Sequence, residues 1–88
     1  MKILGDEIDV IVKFKGSSKP VPIKFSIKEG EQDSTKIIKV DKVLFSDEEK
    51  LAGIKAYVYR CQSIIDGKIL LYELKYYIDK CRWVLYKM

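Results

Sequence analysis

Period-two alternation of apolar and polar residues runs through almost the whole chain, and it leaves little room for anything but β-sheet. In Ile8-Asp9-Val10-Ile11-Val12-Lys13-Phe14-Lys15 the even positions are apolar, and in Val21-Pro22-Ile23-Lys24-Phe25-Ser26-Ile27-Lys28 the odd ones are. Between them Gly16-Ser17-Ser18-Lys19-Pro20 is turn chemistry, so the two segments are expected to form a hairpin with Phe14 opposite Val21. That register sends the alternating apolar side chains to one face. Lys13, Lys15, Lys24, Lys28 and one stray apolar residue, Ile11, take the other. Pro22 lacks a backbone donor and predicts a sheet edge or a bulge there.

A polar loop over residues 29–35 leads to a third strand, Lys36 to Phe45. The apolar parity of this strand slips between Val40 and Val43, which predicts a bulge around Asp41-Lys42. Ser46 with Glu49 three residues on reads as a capping box, and Gly53 as a C-terminal stop. One short helical turn near residues 47–52, or a helix-like hairpin loop, is therefore expected.

The C-terminal third is patterned best. Ile54 to Ile65 reads as a strand, Asp66-Gly67 as a type I′ turn, and Lys68 to Ile78 as the returning strand. A tight turn at Asp79-Lys80 then leads into Cys81 to Lys87. Setting Ile65 opposite Lys68 and Ile78 opposite Cys81 produces two faces. The rows Tyr57–Tyr76–Trp83, Tyr59–Leu74–Leu85 and Cys61–Tyr72–Lys87 are almost wholly apolar or aromatic and are assigned to the core. The rows Ala56–Tyr77–Arg82, Val58–Lys75–Val84 and Arg60–Glu73–Tyr86 mix charge with aromatics and are assigned to solvent. A different loop length at Asp79 would exchange the faces of the last strand.

These elements predict an all-β fold: a small antiparallel six-stranded meander rolled into an SH3-like or OB-like barrel, with rolling as the answer to exposed strand edges. At 88 residues the chain has the length of one domain, 1–88.

Composition removes many chemistries. There is no histidine, so Ser-His-Asp triads, Cys-His pairs and histidine metal sites are excluded. Two cysteines alone cannot close a four-ligand zinc site. Cys61 and Cys81 are expected to be reduced and to serve as small buried hydrophobes. The acidic runs Asp6-Glu7-Asp9 and Asp47-Glu48-Glu49 lack the spacing of a cation loop. The five glycines are isolated, so no phosphate-cradling loop exists. No metal, no cofactor and no catalytic residue is expected. No apolar run is long enough to span a bilayer, and Asp6-Glu7 interrupt any leader-like start, so no membrane contact and a cytoplasmic location are expected.

What remains is binding. The net charge is +4, spread evenly over both halves. Arg60, Lys75, Tyr77, Arg82 and Tyr86 share the outer face of the last three strands. Rings interleaved with cations on a sheet are what small barrels use to hold single-stranded nucleic acid, with bases on rings and phosphates on cations. The same residue types suit a protein interface, and an Arg60–Glu73 ion pair with strand-forming tyrosines needs no ligand at all. The expected partner is nucleic acid or another protein.

The ending Tyr72-Glu73-Leu74-Lys75-Tyr76 … Cys81-Arg82-Trp83-Val84-Leu85-Tyr86, with Pro20 and Pro22 leading an early strand, resembles small uncharacterised bacterial domains of unknown function. Those end in a Tyr-rich strand, a tight turn and a Trp-x-Leu-Tyr strand, and some are similar to domains found beside translesion DNA-polymerase genes. The resemblance covers the last third of the chain and implies no catalytic residue.

Overall fold

The computed structural model describes residues 1–29 and 34–88. It contains seven strands: β1 Ile3–Lys13, β2 Val21–Glu29, β3 Ser34–Lys39, β4 Lys42–Leu51, β5 Ile54–Ile65, β6 Lys68–Tyr77 and β7 Arg82–Lys87. All pair antiparallel in one sheet of order β3-β2-β1-β7-β6-β5-β4. The sheet curls, so the two end strands β3 and β4 are joined by the short corner Val40-Asp41. Val40 N–H donates to the Ile23 carbonyl at 2.9 Å, and Asp41 N–H to the Gln62 carbonyl at 3.1 Å. The corner thus binds both rims of the curl. Of the loop expected over 29–35, Glu29 ends β2, Ser34 and Thr35 begin β3, and the rest lies outside the described residues.

Seven strands replace the six expected, for one local reason. The parity slip at residues 40–43 is a corner that divides β3 from β4, not a bulge inside one strand. The helical turn expected near 47–52 is absent; Ser46–Leu51 continue β4, paired residue for residue with Tyr59–Ile54. The capping-box spacing is overridden because β5 offers this segment a full ladder of backbone partners. Ala52 and Gly53, both at positive φ, make the tight turn instead.

The register of the C-terminal strands follows the expected rows. Tyr57 pairs Tyr76 and Tyr76 pairs Trp83; Tyr59 pairs Leu74 and Leu74 pairs Leu85. Two rows fail in their last member: a bulge after Glu73 sets Lys87, not Tyr86, opposite Glu73, so Cys61–Tyr72 has no Lys87 beside it. The link into β7 is a single turn of 3₁₀-helix, Ile78–Lys80. It leaves Cys81 exposed in the left-handed region, which corrects the expectation of a buried cysteine there. Cys61 is fully buried.

In the first hairpin the register holds over Asp9–Ser26, Val10–Phe25 and Ile11–Lys24, then shifts at Pro22. Ile23 is bulged out, so Pro22 turns inward and is fully buried, while Val21, Ile23 and Phe14 are exposed. The core is Ile8, Phe25, Ile38, Tyr59, Cys61, Tyr72, Leu74, Trp83 and Leu85. Its rings are in contact: the Phe25 and Tyr72 centroids lie 5.3 Å apart, as do those of Tyr59 and Trp83. Among the described residues every buried side-chain polar atom has a partner. The Tyr59 hydroxyl donates to the Pro20 carbonyl and ties the β1–β2 loop over one end of the core.

Candidate interaction face

The five residues singled out by sequence do gather on the outer face of β5, β6 and β7, but not as a free basic surface. Val58 pairs Lys75, and Lys75 pairs Val84; Ala56 pairs Tyr77, and Tyr77 pairs Arg82. Lys75 is only 8% exposed, and Ala56, Glu73 and Val84 on the same face are buried too. The assignment of this face to solvent holds for Arg60 and Arg82 and is corrected for Ala56, Glu73, Lys75 and Val84. Glu49 from β4 and Tyr86 from β7 meet the Lys75 ammonium there and help shield the middle row.

Each cation there already has a carboxylate. Lys75 Nζ lies 3.1 Å from Glu49 and 3.7 Å from the centroid of the Tyr86 ring. Arg60 and Lys87 share Glu73 at 3.6 and 3.8 Å, and Arg82 reaches Glu7 at 3.6 Å. Arg60 also lies 5.9 Å from the centroid of the Phe45 ring. One face of Tyr86 is occupied by an ammonium and so is closed to a base. Tyr77 is half-buried beside Ala56.

Further along the same face, the chemistry changes from charged to apolar. β5 pairs β6 out to Ile65–Lys68, whereas β7 reaches only Glu73. The β5–β6 hairpin therefore projects beyond β7 as a two-stranded ribbon. Its outer side carries Ile64 at 59%, Ile69 at 66% and Leu71 at 46% exposure, with Phe45 of β4 at 52% beside Arg60. Lys42, opposite Gln62, stands at the margin of this side. The ribbon is rigid at its root. The Ile64 N–H donates to the Asp41 carboxylate at 2.7 Å, and the Ser63 hydroxyl to the Lys39 carbonyl at 2.6 Å. The Tyr72 hydroxyl in turn donates to Ser63 Oγ at 2.7 Å, since the one Ser63 proton is spent on Lys39.

Sequence reasoning missed this ribbon, although a signal was there. Ile64-Ile65 and Ile69-Leu70-Leu71 break strict alternation, and consecutive apolar residues in a strand must put one side chain on each face. Ile65 and Leu70 pack against the core, so Ile64, Ile69 and Leu71 are sent outward.

The buried thiol and phenols are not catalytic candidates. Burial pushes the Cys61 thiol up to about 12 and the Tyr72 phenol to about 12, against a smaller lowering from the Ser63 hydrogen bond. Tyr59 is raised by burial as well. Each is held in its neutral, unreactive form. Among the described residues no cluster of three His, Cys, Asp or Glu is placed to hold a metal ion, and no helix is long and apolar enough to cross a membrane. Comparison of the chain with protein-family models, with curated proteins and with solved structures finds no match.

Proposed function

We propose that the chain is a small non-enzymatic binding module whose partner is another protein, met on the outer face of the β5–β6 ribbon. The observation that carries this reading is the exposed set Ile64, Ile69, Leu71 and Phe45 on one continuous sheet surface. Isolated exposed apolar residues are ordinary, but several side by side on a rigid ribbon mark an interface. Lys42 borders the apolar centre, so a segment with apolar residues beside an Asp or Glu is its complement. A second copy would bring like charges together at that border. We liken the curled sheet to SH3-like barrels in this respect only: curling leaves one outer surface free for a partner.

Nucleic acid is less well supported on the neighbouring charged rows. Arg60, Lys75 and Arg82 are ion-paired, and Tyr86 is stacked on a lysine, so phosphates would have to displace Glu73, Glu49 and Glu7. Amide-shift titrations separate the two classes of partner. A short capped peptide of alternating leucine and aspartate is expected to shift residues 62–71, with affinity that weakens only modestly as salt rises because the apolar contacts persist. Ile64→Glu with Leu71→Glu should abolish those shifts and leave the thermal midpoint within a few degrees. Shifts instead from a single-stranded oligonucleotide at residues 60, 75, 77, 82 and 86, lost steeply as salt rises, would overturn the proposal for the nucleic-acid one.

A further inference from the structure

A second site lies away from the ribbon, where strands β1 and β2 part. Their pairing holds from Asp9–Ser26 to Lys13–Val21, whereas Ile3 to Ile8 pair with β7 and Ile27 to Glu29 continue beside β3 alone. The divergence opens a cleft of about 680 Å³. Its apolar lining is Leu4, Ile8, Ile27, Leu85 and Met88. The charged lining is three carboxylates, Asp6, Glu7 and Asp9, against one ammonium, Lys28. That sign is opposite to the +4 of the whole chain.

Asp6 is the residue that gives the cleft its character. It stands opposite Leu85 across the β1–β7 ladder, and opposed residues share a face. Leu85 faces the core, as does Ile8 two residues on. Asp6 therefore has the register parity of Ile8, Val10 and Val12, which are apolar, while remaining exposed at the cleft mouth. Gly5 just before it, at φ +69°, supplies the left-handed residue of a bulge that adds one residue to β1 here. Glu7 reaches Arg82, but Asp6 and Asp9 have no ion-pair partner among the described residues. A carboxylate at a core-parity position, beside an open apolar floor, contributes nothing to the fold that a leucine would not exceed.

We propose that this cleft binds an extended peptide segment, with a lysine ammonium against Asp6 and apolar neighbours on Leu4, Ile27, Leu85 and Met88. Lysine suits the geometry because its alkyl stem can cross apolar surface while its charge stays at a wet mouth. The carboxylates repel phosphate, which excludes nucleic acid. The site is independent of the ribbon.

Methyl-labelled protein at low ionic strength tests it, with three probes: a short capped peptide of alternating leucine and lysine, the same peptide with glutamate for lysine, and octylammonium. The lysine peptide is expected to shift the Leu4, Leu85 and Met88 methyls saturably, and Asp6→Asn to weaken it about fivefold, the scale of one half-exposed ion pair. Asp6→Leu is expected to raise the thermal midpoint yet abolish the preference for the lysine peptide. Equal binding of the glutamate peptide, unchanged affinity in Asp6→Asn, or shifts confined to Ile64, Ile69 and Leu71 would overturn the site. Octylammonium binding as tightly as the peptide would overturn its assignment to a peptide.

Discussion

The Lys75 ammonium sits 3.7 Å from the centre of the Tyr86 ring and 3.1 Å from the Glu49 carboxylate. Three strands contribute to this stack, β4, β6 and β7, so it fastens the outer face across the curl. A nearly buried ammonium is tolerable only while both partners stay. Glu49→Gln is therefore expected to destabilise the fold by about 1–3 kcal/mol, because it leaves Lys75 underpaired. Lys75→Met, which keeps the alkyl stem and removes the charge, is expected to cost under about 1 kcal/mol. Urea unfolding of both variants checks the order, and a larger loss from Lys75→Met refutes it.

The Tyr72–Ser63–Lys39 relay is asymmetric. Tyr72→Phe removes the first donor but leaves Ser63 bonded to the Lys39 carbonyl. Ser63→Ala strands both the phenol and the carbonyl, one of them deep in the core. The serine variant is expected to lose about 2–3 kcal/mol and the tyrosine variant about 1 kcal/mol. Amide exchange at residues 63–65 and 39–41 should rise in the first far more than in the second, since this relay joins β3 to β5.

Alkaline pH should weaken the fold in two overlapping steps. Burial raises Cys61 and Tyr72 each to about 12. The unfolded chain loses these protons near pH 9 and pH 10, while the folded chain keeps them until about pH 12. Above pH 9 the unfolded state thus binds fewer protons, and stability falls as pH rises. The contribution is complete below pH 9; the Tyr72 share is lost between about pH 10 and 12 and amounts to about 2–3 kcal/mol. In Cys61→Ala the plateau should extend to near pH 10. Denaturant midpoints measured from pH 7 to 11 test this, and an unchanged onset in the variant would count against it.

Most of the C-terminal fold was legible because Asp66-Gly67 fixes a turn with one register, and that register fixes every row behind it. The first hairpin was legible only as far as Ile11–Lys24. Pro22 announced a bulge, but alternation could not reveal that the bulge would turn Pro22 in and Val21, Ile23 and Phe14 out. The β3–β4 corner looked like a bulge because both produce the same parity slip. Capping signals at Ser46 and Glu49 lost to the ladder that β5 supplies, a contact between residues that only the folded sheet makes certain. The candidate site was half visible. Sequence placed Arg60, Lys75, Tyr77, Arg82 and Tyr86 on one face, but their acidic partners Glu7 and Glu49 come from strands whose register against it was not known.

The corner at Val40-Asp41 has a topological consequence. Read from β4, the sheet order is β4-β5-β6-β7-β1-β2-β3, a meander in which the β7-to-β1 step is the sole junction not covalently continuous. At that junction Lys2 and Met88 exchange backbone hydrogen bonds at 2.9 and 3.0 Å. The native chain must therefore find its most distant partners, first strand against last, to complete the sheet. A circular permutant joined there and opened at the corner would convert that slow long-loop search into one more hairpin, with the same walls standing around the same core.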